Sequence, residues 1–93
     1  MAKIVIIDDE PAMVEVIVTL CREKGHQVFP FNAPSKAIEQ LDAIQPEVVI
    51  TDIKMETMTG FDVLRHVRAP IFIAWTAVSA DPNAVMRMTE VWR

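Results

Sequence analysis

The chain holds 93 residues, 52% of them hydrophobic, and carries a formal net charge of −4. That size suits a single small domain over residues 1–93 with little stability in reserve. The scattered acids and bases offer no basic face for nucleic acid or an anionic membrane. Cys21 is the only cysteine, which excludes an internal disulfide and points to a reducing, cytoplasmic setting.

The first apolar stretch, Ile4–Ile7, meets acids after four residues, too soon for a signal peptide or a membrane span, and reads as a strand. Pro11 suits the opening turn of a helix and Gly25 its end. Within that helix Met13, Val14, Val16, Ile17, Val18, Leu20 and Cys21 cover more than half the circumference, which predicts deep burial. Val28–Phe31 reads as a second strand. Ala37, Ile38, Leu41 and Ile44 then share one face of a second helix, with Asn32 or Ser35 as its cap. Val48–Ile50 form a third strand that runs through Thr51 into Asp52. A third helix starts near Gly60 and is expected to bury Phe61, Leu64 and Val67. Ile71–Trp75 make a fourth strand. Asp81 and Pro82 suit the cap and first turn of a fourth helix, whose stripe is Ala84, Val85, Met88, Val91 and Trp92.

Near-continuous apolar strands alternating with helices predict an α/β fold: a parallel sheet covered on both faces. In such sheets ligands gather outside the carboxyl ends of the strands. There the sequence places Asp8, Asp9 and Glu10 after the first strand, Asp52 after the third and Thr76 at the end of the fourth. If strands one and three are neighbours, Asp8, Asp9 and Asp52 converge. Mutual repulsion then raises at least one pKa, and a divalent cation relieves it. An all-oxygen ligand set suits Mg²⁺. Each residue alone has a plainer explanation. An Asp after a strand often caps the next helix, paired acids complement a helix dipole, and Thr76 could be a turn residue. Convergence from three segments favours a site.

The segments "IVIIDDEP", "VVITDIKMETMTGFDVL" and "PIFIAWTA" resemble the receiver domain of two-component response regulators over about residues 3 to 80. The middle segment carries an acid after a β run, then Met55, Met58 and Gly60 at the family's spacing; Glu56 stands where the family usually has proline. The resemblance implies a flavodoxin-like doubly wound parallel sheet of strand order 2-1-3-4, shortened to four βα units. It implies that Asp52 accepts a phosphoryl group from a sensor histidine kinase or phosphotransfer protein in a Mg²⁺-dependent reaction. Asp9 would bind the metal directly and Asp8 through water, with Asp52 and the Lys54 carbonyl completing the set. The Thr76 hydroxyl and the Ala77 amide would meet the acyl phosphate. On this reading the domain is a phosphoacceptor rather than an enzyme, capable at most of self-phosphorylation and autodephosphorylation.

By the strand spacing, a fifth strand falls due close to Arg93, so the expectation is a receiver without the family's fifth strand, the lysine on it and the fifth helix. Lys3, Lys24, Lys36 and Lys54 occupy positions unsuited to replace that lysine. Strand four would then be an open apolar edge. Self-association is expected through the strand-four and helix-four side, near Trp75, Met86, Val91 and Trp92, with exchange of the terminal helix as one route; Trp92 folding back over that side is the competing expectation. A degenerate receiver acting as an interaction or dimerisation module is the rival function. A flavin-binding relative would need a Ser/Thr- or Gly-rich phosphate loop after strand one, where this chain places three acids, and an aspartate-based phosphatase needs paired acids two apart, which Asp8 and Glu10 only approximate. His26 and His66, without partners at metal spacing, read as solvated surface, and Cys21 as packed on the inner side of helix one.

Overall fold

The protein is described here by a computed structural model covering residues 1–77 and 86–92, from Ala74 onward in backbone course and strand register. In chain order the elements are β1 (Lys3–Ile7), α1 (Pro11–Glu23), β2 (Gln27–Phe31), α2 (Pro34–Ile44), β3 (Val48–Asp52), α3 (Gly60–Leu64), β4 (Ile71–Ala77) and β5 (Met86–Trp92). The sheet order is β2-β1-β3-β4-β5. β1 pairs in parallel with β2 and β3, and β3 with β4, as the alternating pattern requires. Pro30 is tolerated because β2 is an edge strand, where a missing N–H breaks no inner ladder.

Period-two alternation along the strands sorts the core into two layers. Val5, Ile7, Val49 and Phe72 face α2 and α3, meeting Ala37, Leu41, Val63 and Val67. Ile4, Ile6, Val28 and Ile50 face α1, meeting Val18. Each large apolar side chain fully buried here contributes roughly 1.5–3 kcal/mol.

Several expectations need correction. α1 is amphipathic rather than deeply buried: Val16 and Leu20 are 51% and 55% exposed. The helix rests on β1 and β2 through Met13, Val14, Ile17, Val18 and Cys21, a single stripe, which leaves its outer side away from the sheet. α2 is preceded by Ala33, with no side-chain cap from Asn32 or Ser35, and Pro34 supplies the pre-set first turn. In α3, Gly60 and Val63 face inward, so Phe61, one residue round the helix, points out and is 52% exposed. Leu64 and Val67 do pack on the core.

The largest difference lies after β4. Met86–Trp92, expected within a fourth helix, is a strand antiparallel to β4 in a seven-residue register. Seven residues are too few for an apolar stripe to separate a helix from a strand by periodicity, and Thr89, Val91 and Trp92 suit a pleated surface. Pairing with β4 also satisfies an edge that would otherwise stand open. β4 is therefore not the exposed edge on which the expected self-association was built. Trp75 is paired with Met88, Ala77 with Met86, Phe72 with Val91 and Ile71 with Trp92. Asp81, Pro82, Ala84 and Val85 lie outside the described residues. His26 is not simple surface either: it is half-buried, and its Nδ1 accepts the Ala2 N–H at 3.1 Å, tying the entry to β1 against the turn after α1.

Candidate metal centre

Parallel pairing of β1 with β3 sets Ile7 opposite Thr51, so the residues that follow, Asp8 and Asp52, emerge side by side. Carboxylate oxygens of Asp8, Asp9 and Asp52 lie within 4.8 Å of one another, as the sequence spacing anticipates. Their surroundings grade from inside to out: Asp8 is fully buried, Asp52 half-buried and Asp9 exposed.

Asp8 is fixed by its own turn. Its N–H donates to the Phe31 carbonyl at 3.1 Å, and its Oδ1 accepts the Glu10 N–H at 2.9 Å. Oδ2 is buried with no hydrogen-bond partner among the described residues. A buried acceptor left empty is costly and calls for a partner. Burial pushes the Asp8 carboxyl up to about 6, against the Glu10 N–H and helped by the charges of Asp52, Asp9 and Glu10.

Asp52 is also raised, first by burial and then by the Asp9 and Glu10 charges, with the Lys54 and Ile53 N–H groups pulling the other way. The Lys54 N–H reaches Asp52 Oδ1 at 3.2 Å. The segment after Asp52 is held compact by a bridge between Lys54 and Thr59 and by the Gly60 N–H donating to the Ile53 carbonyl at 2.8 Å. Gly60 is required by proximity: a Cβ there would stand 2.7 Å from the Asp52 carbonyl oxygen. Met55 and Met58 fold back onto the α2/α3 side of the core, which anchors the loop.

The donor set is all oxygen, two of its members have carboxyls shifted toward the neutral form, and one buried oxygen is unpartnered. That combination fits a hard divalent cation such as Mg²⁺. Lys54 is positioned for its carbonyl to join them only in that it follows Asp52 by two residues; its side chain is exposed. Thr76 and Ala77 are the last two residues of β4, in register with Arg87 and Met86 of β5. One residue that composition did not single out also belongs to the rim. The Glu56 N–H donates to Asp9 Oδ2 at 2.9 Å, joining the β3–α3 loop to the β1–α1 loop.

A parallel β2-β1-β3-β4 sheet with acids at the carboxyl ends of β1 and β3 is the architecture of a receiver. The chain matches the response regulator receiver domain over residues 4–90 and belongs to that family. It is similar to the hybrid signal transduction histidine kinase C of Dictyostelium discoideum, 32% identical over 66 residues that make up 71% of this chain and 5% of the kinase. It is also similar to the transcriptional regulatory protein TrcR of Mycobacterium tuberculosis, at 29% over 88 residues, 94% of this chain and 34% of that one. Among solved structures, the N-terminal domain of a response regulator receiver protein from Methanoculleus marisnigri JR1 superposes with a TM-score of 0.68 at 28% identity, covering 88% of this chain and 58% of that one. The chain thus spans about a third or less of the length of these curated relatives. No helix among the described residues is long and apolar enough to cross a membrane.

Proposed function

We propose that this receiver domain accepts a phosphoryl group on Asp52 from the histidine of a sensor kinase or phosphotransfer protein, in a Mg²⁺-dependent reaction in the cytoplasm. The observation that carries the reading is the convergence of Asp8, Asp9 and Asp52, together with the buried Asp8 Oδ2 that has no partner among the described residues. Asp8, Asp9, Asp52 and the Lys54 carbonyl would hold the ion, which when bound neutralises charge on the transferring oxygens. A carboxylate oxygen of Asp52 forms the new P–O bond as the P–N bond of phosphohistidine breaks, and the imidazole leaves with the electron pair. The Lys54 and Ile53 N–H groups favour the ionised form of Asp52 that this step needs. On this reading the Thr76 hydroxyl and the Ala77 N–H, at the end of β4, would meet the acyl phosphate. The chain is a phosphoacceptor rather than a catalyst acting on a separate substrate.

A second reading rests on β5. Met86–Trp92 contains no lysine, and Arg87 is the cation in register with Thr76. The domain would then serve as an interaction or homodimerisation module without phosphotransfer. One experiment separates the two: incubation with Mg²⁺ and a small acyl phosphate donor, followed by intact-mass measurement. Covalent gain of one phosphoryl group by the wild type, absent from Asp52→Asn and from samples with chelator, is the expected result. An unmodified wild type that still binds Mg²⁺ selects the second reading, and sedimentation across a concentration series then tests the homodimer.

A further inference from the structure

Asp9 is the exposed member of the acid cluster, and an exposed carboxylate is free to rotate away from a site. One group restrains it. The Glu56 N–H donates to Asp9 Oδ2 at 2.9 Å across a sequence separation of 47 residues. Among the described residues no other hydrogen bond or ion pair holds the Asp9 side chain. The donor is itself fixed in place, because Met55 and Met58 on either side of it pack on the core and Lys54 bridges to Thr59. The bond holds one Asp9 oxygen to the loop, and a carboxylate oxygen of Asp9 lies within 4.8 Å of those of Asp8 and Asp52.

From this geometry we infer that Glu56 is a positioning residue: its backbone N–H pre-orders Asp9 for cation binding and couples the β3–α3 loop to occupancy of the centre. The inference deepens the metal reading above and rests on it. What matters is the N–H and not the carboxylate, so the residue could be almost anything except proline, the one residue without that donor. Glu56, which is not proline, supplies that donor. Loss of an outer partner to a metal ligand characteristically costs about ten-fold or more in metal affinity.

The test uses two substitutions at one site in the full chain. Glu56→Pro deletes the donor, and Glu56→Ala keeps it while removing the side chain. Calorimetric titration with Mg²⁺ should show about ten-fold weaker binding for Glu56→Pro, and near wild-type binding for Glu56→Ala. Circular dichroism and the urea midpoint establish that both variants fold. Should the proline variant fail to fold, amide hydrogen exchange gives an independent reading: the Glu56 N–H is protected in the metal-free wild type and loses that protection in Asp9→Ala. Equal Mg²⁺ affinity of Glu56→Pro and wild type overturns the inference, as does equal weakening in Glu56→Ala, or exchange at Glu56 indifferent to Asp9→Ala. Those failures are distinct from failure of the metal reading, in which the wild-type chain itself takes up no Mg²⁺ and this inference falls with it.

Discussion

The middle of the sheet and its carboxyl rim are a residue apart along β1 and β3, yet opposite physics governs them. Ile6, Ile7 and Val49 are fully buried and surrounded by apolar partners, so each stabilises the fold by being where it is. Asp8 follows Ile7 directly, is equally buried, and carries an oxygen with no partner among the described residues and a carboxyl raised to about 6. The body of the sheet works for stability, while the rim holds an electrostatic conflict that the body is strong enough to tolerate. A cation or a proton resolves that conflict, and so the rim responds to its surroundings while the body does not.

The first way to break the contrast is to weaken the body. Phe72 is fully buried, pairs across from Val49 and packs in the α2/α3 layer. Phe72→Ala leaves a cavity in a small domain and should cost about 3–5 kcal/mol, measured by urea unfolding. A loss of that size leaves little of the marginal stability of a chain this short, so the rim should collapse with the body and Mg²⁺ should restore part of it. A variant that keeps wild-type stability would show that the layers are not the source of tolerance.

The second prediction inverts the sign. The folded-state carboxyl of Asp8 sits at about 6 against an ordinary value of 3.8. Its contribution to stability is therefore full below the unfolded value and is lost as pH rises toward the folded one. Metal-free Asp8→Asn, which cannot ionise, should be more stable than wild type above that window by about 2 kcal/mol after allowance for solvent screening, with the advantage shrinking toward acid. Urea midpoints at a series of pH values, with chelator present, check this. With Mg²⁺ present the order should reverse, because the wild type gains a ligand that the variant binds poorly. A wild type whose stability is flat through the window would remove the conflict from the rim.

The parts of this arrangement that the sequence made legible share a feature: they are set by local pattern. Strand runs such as Ile4–Ile7 and the acids that end them sit on neighbouring segments, so alternation and parallel pairing suffice to bring Asp8, Asp9 and Asp52 together. The missed parts depend on non-local facts. Whether Met86–Trp92 coils or extends is decided by the open edge of β4, a partner that periodicity cannot see. Val16, Leu20 and Phe61 are apolar by composition but turned away by the orientation of their helices on the sheet. The Glu56–Asp9 hydrogen bond uses a backbone donor, which is invisible in side-chain chemistry; the available signal was that the position is not proline.

The smallest effect sharpens where the rim ends. Thr59 precedes α3 with a reciprocal cap: its Oγ1 accepts the Asp62 N–H at 3.2 Å, and its own N–H donates to Asp62 Oδ2 at 2.9 Å. The Thr59 N–H, and then the Thr59 hydroxyl donating to the same Oδ2 at 3.1 Å, hold the Asp62 carboxyl below the ordinary carboxylate range, with Arg65 adding a little. Asp62 is thus an acid whose shift is opposite to that of Asp8 and Asp52, because its bonds favour the charged form and burial is minor. Thr59→Ala should cost about 1 kcal/mol through the lost cap. It should leave Mg²⁺ affinity within about two-fold, since surface changes away from a site seldom exceed that. The Gly60 N–H still reaches the Ile53 carbonyl at 2.8 Å and still braces the segment after Asp52. Urea unfolding and calorimetric titration on the same sample decide it. Mg²⁺ binding that falls as far as it does in Glu56→Pro would move the boundary of the metal centre outward to the cap of α3.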